Sequence, residues 1–128
     1  MGERERLEWA WAAGLFEGEG SIGLTGRRTH HPTLCLQLSM VDGDIVRRFA
    51  NVVGGSVSGP YVHRPPPGAN PRQPIWRWSI SGQPARAVLQ RLWPILGPRR
   101  QAKAVTLGFP PIGYNPLTQR IELGGLKK

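Results

Sequence analysis

The sequence predicts an α+β domain of order αββαββα, with a four-stranded antiparallel sheet and its helices on one face. Three observations carry that expectation. Stretches with a helical apolar period alternate with stretches of period two. The period-two stretches come in consecutive pairs, as hairpins do. Glycine and proline punctuate most of the boundaries.

The elements follow in order. Residues 4–17 hold good helix formers, with Leu7, Trp11 and Leu15 at i, i+4 spacing, and Glu17-Gly18-Glu19-Gly20 ends the helix. Residues 21–28 read as a strand, with Ile22 and Leu24 on one face and Gly23, Thr25 and Arg27 on the other. After the turn at His30-His31-Pro32, residues 33–40 alternate Leu34, Leu36, Leu38 and Met40 against Cys35, Gln37 and Ser39. Asp42 or Asp44 caps the next helix, whose apolar side is Ile45, Val46, Phe49, Val52 and Val53, and Gly54-Gly55 stops it.

A third strand is expected over 56–63, then a Pro-rich and Gly-rich loop over 64–74. The phase of Tyr61 and His63 stays open, because Gly59-Pro60 can bulge that strand. The fourth strand, 75–80, turns Trp76, Trp78 and Ile80 inward and Ile75, Arg77 and Ser79 outward. Helices follow from Ser81 or Gly82 to about Leu96, and from about Arg99 to Leu107. The domain is expected to span 1–108, and 109–128 to form an irregular arm or tail. The tryptophans at 9 and 11 are expected to pack the first helix on the sheet, and those at 76 and 78 to belong to the core.

Composition narrows the function. The chain has 128 residues, 17 Lys+Arg against 8 Asp+Glu and a formal charge of +9, which makes nucleic acid the first partner to consider. Fourteen of the 17 cations are arginine, the side chain whose fork matches phosphate and guanine edges. The charge is segregated: residues 1–19 carry five glutamates and two arginines, −3, and the remainder carries +12. A single cysteine, Cys35, excludes an internal disulfide framework and a Cys-rich zinc module. The apolar run from Trp9 to Phe16 is too short to span a membrane, and Glu3-Arg4-Glu5-Arg6 leaves no signal-peptide pattern. A soluble intracellular protein, not secreted and without a membrane partner, is therefore expected. Adjacent His30 and His31 would point apart on a strand and do not make a metal pair.

The first helix holds the most unusual chemistry. Ala10, Ala13 and Gly14 are small enough for a second helix to approach closely. Glu17 and Glu19 lie where the helix dipole is negative, so carboxylates there call for a cation. If two copies met across a two-fold axis, these tips could share Mg²⁺.

Ala12-Ala13-Gly14-Leu15-Phe16-Glu17-Gly18-Glu19-Gly20 resembles the LAGLIDADG motif of homing endonucleases, in the variant that continues Ser-Ile. The resemblance extends over about residues 7–108: Leu38-Ser39-Met40-Val41-Asp42, Gly54-Gly55-Ser56-Val57, Trp76-Arg77-Trp78-Ser79-Ile80 and Arg99-Arg100-Gln101-Ala102 are similar to single-motif members. It implies a homodimer joined through the motif helix, with Ala10, Ala13, Gly14 and Glu17 at the contact. It also implies a sheet seated in the major groove of double-stranded DNA. Glu19 would bind the catalytic metal with the Gly18 carbonyl as a further ligand. That metal would be Mg²⁺ or Mn²⁺, with Ca²⁺ as a non-cleaving substitute.

The implied activity is site-specific double-strand cleavage of a pseudopalindromic site with short 3′ overhangs, in a protein of intron or intein origin. Asp42 falls near a polar position that contacts active-site water in the family. A basic residue is common three places before Gln101, where this chain has Pro98, so Arg99 or Arg100 would supply the positive charge. Thr25, Arg27, Gln37, Ser39, Arg77 and Ser79 are the expected DNA-reading face, and Arg64 and Arg72 flank a loop that can follow the phosphate backbone. The alternative is a non-cutting relative: an RNA maturase that aids splicing, or a DNA-binding regulator. A small basic RNA-binding domain outside the family is a third reading.

Overall fold

The structure, a computed structural model, describes residues 2–26, 31–111, 113–115 and 120–121. Its elements are α1 (Glu3–Glu19), β1 (Gly20–Thr25), β2 (Thr33–Met40), α2 (Gly43–Val53), β3 (Ser56–Tyr61), β4 (Ile75–Ser81), α3 (Gln83–Leu92), a 3₁₀ turn (Trp93–Ile95) and α4 (Pro98–Thr106). The strands form one antiparallel sheet in the order β1-β2-β4-β3. This is the expected α+β order. Within the expected irregular arm, β5 (Tyr114–Asn115) pairs with β6 (Arg120–Ile121).

The sheet has two unlike faces. Ile22, Leu34, Leu36, Leu38 and Trp78 are buried beneath the helices, joined by Phe16, Val46, Phe49, Val88, Leu89 and Leu92. Phe16, Phe49 and Trp78 form its aromatic centre, with the Phe49 and Trp78 rings 4.7 Å apart and edge-on, a favoured arrangement. The Trp78 indole N–H is not left orphaned, because it donates to the Gly54 carbonyl at 2.6 Å. The expected inward set on β4 is borne out, with Trp78 buried and Trp76 and Ile80 packed against the core.

The first helix differs from expectation in three ways. It runs two residues further, to Glu19, and ends at Gly20, whose extended backbone still donates to the Phe16 carbonyl. A Cβ at Gly20 would overlap the Phe16 ring, so glycine is required there by close approach. Its fully buried residues are Ala12, Ala13 and Phe16; of the expected stripe, Trp11 and Leu15 are half-buried and pack against the core, and Leu7 is 64 % exposed. The helix carries apolar residues on several sides, so spacing alone finds only the flank of the buried face. Trp9 and Trp11 sit beneath arginines of neighbouring helices: Arg91 of α3 lies 3.8 Å from the Trp9 ring centroid and Arg48 of α2 lies 3.9 Å from that of Trp11.

Other boundaries shift by a few residues. β1 is described to Thr25, with residues 27 and 28 of the expected strand outside the described residues; β3 stops at Tyr61, short of the expected 63, and α3 gives way to the 3₁₀ turn where Pro94 cannot donate. Asp42, not Asp44, caps α2, and its Oδ1 accepts from the N–H groups of Asp44 and Ile45 at 3.2 and 3.3 Å.

Candidate active site and nucleic-acid interface

The end of α1 separates its two acids. Glu17 turns into the fold: its Oε1 accepts the Gly97 N–H at 2.7 Å, at the N-terminus of α4, where the helix dipole favours a carboxylate. Arg100 completes this joint, with its Nε donating to the Glu17 carbonyl at 2.8 Å and lying 3.8 Å from Glu17 Oε1. No basic residue stands in the last turn of α1, so Arg100 supplies the cation that the helix C-terminus lacks. Glu19 is exposed and makes no such contact among the described residues. Gly18, between them, is exposed too.

Basic groups stand beside this tip. Ser21 and Ile22 of β1 and Arg99, Arg100 and Lys103 of α4 line an open pocket of about 330 Å³. Arg99 and Lys103 are exposed and lie one helical turn apart, without an acidic partner among the described residues. Lys103 lies downstream of Gln101, on the side away from the expected basic position, and was not among the expected cations. The i, i+4 relation to Arg99 was the signal available. Gln101 itself serves the fold, donating through Nε2 to the Trp93 carbonyl at 3.0 Å. Asp42 stands just past the end of β2; since Gly20 pairs with Leu38, that is the end of the β1-β2 pair where Glu19 lies. Its carboxylate is occupied in capping α2.

The small-residue group on α1 also separates. Ala13 is 1 % exposed and packs against its own core, which corrects its expected place at a contact between copies. Ala10 and Gly14 are exposed, and a Cβ at Gly14 would meet nothing within 4 Å. Together with Leu7 and Gly18 they follow i, i+3, i+7 and i+11, one stripe along the outer side of the helix.

The open face of the sheet is polar and mostly small. The register aligns Ser21, Gln37, Ser79 and Ser56 in one row, and Ser39, Arg77 and Ser58 in the next. Thr25 pairs with Thr33, and Gly23 with Cys35. Five of the six expected reading residues, Thr25, Gln37, Ser39, Arg77 and Ser79, therefore share this face. Arg27 lies outside the described residues. Arg64 and Arg72 are exposed on the 64–74 loop. The irregularity between Ser58 and Tyr61 turns Tyr61 to the open side, where its hydroxyl donates to Ser58 Oγ at 2.8 Å. Burial pushes the Cys35 thiol pKa up, away from a reactive thiolate.

Among the described residues, no group of three or more His, Cys, Asp or Glu side chains could hold a metal. One carboxylate and nearby carbonyls are too few for a cage within the protein. They would suit a Mg²⁺ ion that keeps several waters and takes its remaining ligands from outside the protomer. No helix among the described residues is long and apolar enough to cross a membrane.

The fold is that of the LAGLIDADG homing endonucleases. The homing endonuclease I-CvuI in complex with its target, in the presence of calcium, superimposes with a TM-score of 0.58 at 20 % identity, over 83 % of this chain and 68 % of that one. The same enzyme with the I-CreI target and magnesium, its DNA not cleaved, gives 0.57 at 20 % identity over the same shares. An archaeal intron-encoded homing endonuclease, I-Vdi141I, complexed with DNA, gives 0.53 at 10 % identity, over 81 % of this chain and 72 % of that one. No protein-family model matches the sequence, and neither does any curated protein.

Proposed function

We propose that this chain is a homodimeric, Mg²⁺-dependent, site-specific endonuclease of double-stranded DNA, of the homing type. The observation that carries the reading is the division of labour at the end of α1. Glu17 is engaged in the fold, and Glu19 is left exposed at a helix C-terminus in a protein of charge +9. A pure DNA binder has no use for a carboxylate at such a place, facing a polyanion.

Support for the dimer comes from the outer stripe of α1. Leu7 is exposed although large and apolar, and Ala10, Gly14 and Gly18 leave room for a second backbone. A two-fold axis along that stripe would bring two Glu19 carboxylates together. A bound Mg²⁺ would supply charge stabilisation at the phosphate and activation of water. Glu19, with the Gly18 carbonyl, would hold it. Arg99 and Lys103 would neutralise the phosphate from the α4 side, the part expected of Arg99 and Arg100. Arg100 would act indirectly, by holding the α1 tip in place. Asp42 would orient the start of α2 beside the site. The open sheet face would lie in the major groove, with Arg64 and Arg72 following the backbone. Two copies of one site suit cuts in both strands of a pseudopalindromic target, leaving short 3′ overhangs. The test is a cleavage selection on a randomised duplex library with Mg²⁺. Recovery of cut, palindromic sites by the wild type is the expected result, and recovery of none would overturn the reading.

A further inference from the structure

We propose that Arg77 reads a guanine, at one fixed base pair in each half of the DNA target; the inference rests on the proposed DNA-binding function and goes on to name the base. Arg77 is the only charged residue in the four strands of the sheet. It sits on β4, an inner strand, with Ser39 beside it on β2 and Ser58 on β3. Its Nε–H donates to Ser39 Oγ at 3.3 Å. The Tyr61 ring lies against the other side, its centroid 5.4 Å from the guanidinium carbon. Tyr61 is itself fixed by its hydroxyl bond to Ser58 at 2.8 Å.

These contacts consume the one N–H on Nε and leave the two terminal nitrogens without a partner among the described residues. Two parallel donors match the O6 and N7 acceptors on the major-groove edge of guanine; adenine offers one acceptor and one donor there. An arginine already held on two sides loses little freedom on binding, so the match is made at low entropic cost. The flanking serines are too short to compete for the same base edge. A central strand faces base edges, and phosphates pass at the rims of the sheet, where Arg64 and Arg72 lie. In a homodimer the two-fold would place one such guanine on each strand.

The test is a binding selection from a randomised duplex library with Ca²⁺ in place of Mg²⁺, run on the wild type, Arg77→Lys and Tyr61→Leu. Arg77→Lys keeps the charge and lacks the fork, and an unchanged melting temperature shows that it folds. The expected result is a wild-type consensus with one invariant G·C pair per half-site. At that pair alone, Arg77→Lys loses roughly 10- to 100-fold discrimination, and Tyr61→Leu loses less. A consensus unchanged in Arg77→Lys overturns the proposal. So does a loss spread evenly over all sequences with a shallower salt slope, which marks a phosphate contact. If the wild type binds DNA without any consensus, the guanine reading fails and the DNA-binding reading stands. If it binds no DNA, both fail.

Discussion

Glu17 and Glu19 are two residues apart in one motif and have opposite surroundings. Glu17 faces a helix N-terminus and an arginine, where a carboxylate stabilises the packing of α4 on α1. Glu19 faces solvent, two residues before Ser21, which shares an open pocket with Arg99 and Lys103 of α4, and its carboxylate makes no contact that serves the fold among the described residues. Neighbouring positions on a helix two apart point to nearly opposite sides, so a repeated acid reads as a pair only on paper. The same contrast runs along α1. Ala12, Ala13 and Phe16 are committed to the core, and Leu7, Ala10, Gly14 and Gly18 are not.

This contrast can be broken in graded steps. Phe16→Ala, on the inner side, should cost about 3–5 kcal/mol of stability, read by urea unfolding, because it empties the centre shared with Phe49 and Trp78. Gly20→Ala should cost about 1–3 kcal/mol, since its Cβ must displace the Phe16 ring. Glu17→Ala should cost about 1–2 kcal/mol, leaving the Gly97 N–H without its acceptor while turnover per folded molecule persists. Gly14→Leu should leave the stability of the protomer nearly unchanged, because its side chain enters open space. It should nevertheless convert a sedimenting dimer to a monomer, and a dimer that survives it would place the contact elsewhere.

Much of the fold was legible because local chemistry and global packing agree. The strand over Thr33–Met40 reads correctly to the residue, since strict alternation has one solution when one face is buried. The tryptophan stripe on β4 reads for the same reason. The inner face of α1 reads only in part: Trp11 and Leu15 do pack against the core, but Ala12, Ala13 and Phe16 fill it, and only the tertiary partners choose among the apolar sides. The part Glu17 plays in the fold was not legible for a related reason: its partner, Gly97, is 80 residues away, and no spacing rule reaches it. Lys103 escaped because its place beside Ser21 comes from α4 packing on β1. The open face was readable from alternation alone, except Tyr61, whose side depends on the irregularity after Ser58.

The most direct measurement compares Glu19→Gln and Glu17→Gln for Mg²⁺-dependent cleavage of a selected duplex, with DNA affinity in Ca²⁺ and melting temperature recorded for each. Glu19→Gln is expected to abolish cleavage and keep both affinity and melting temperature, while Glu17→Gln keeps cleavage and melts lower. Cleavage surviving in Glu19→Gln, or lost equally in both variants at equal stability, would contradict the assignment of the metal to Glu19.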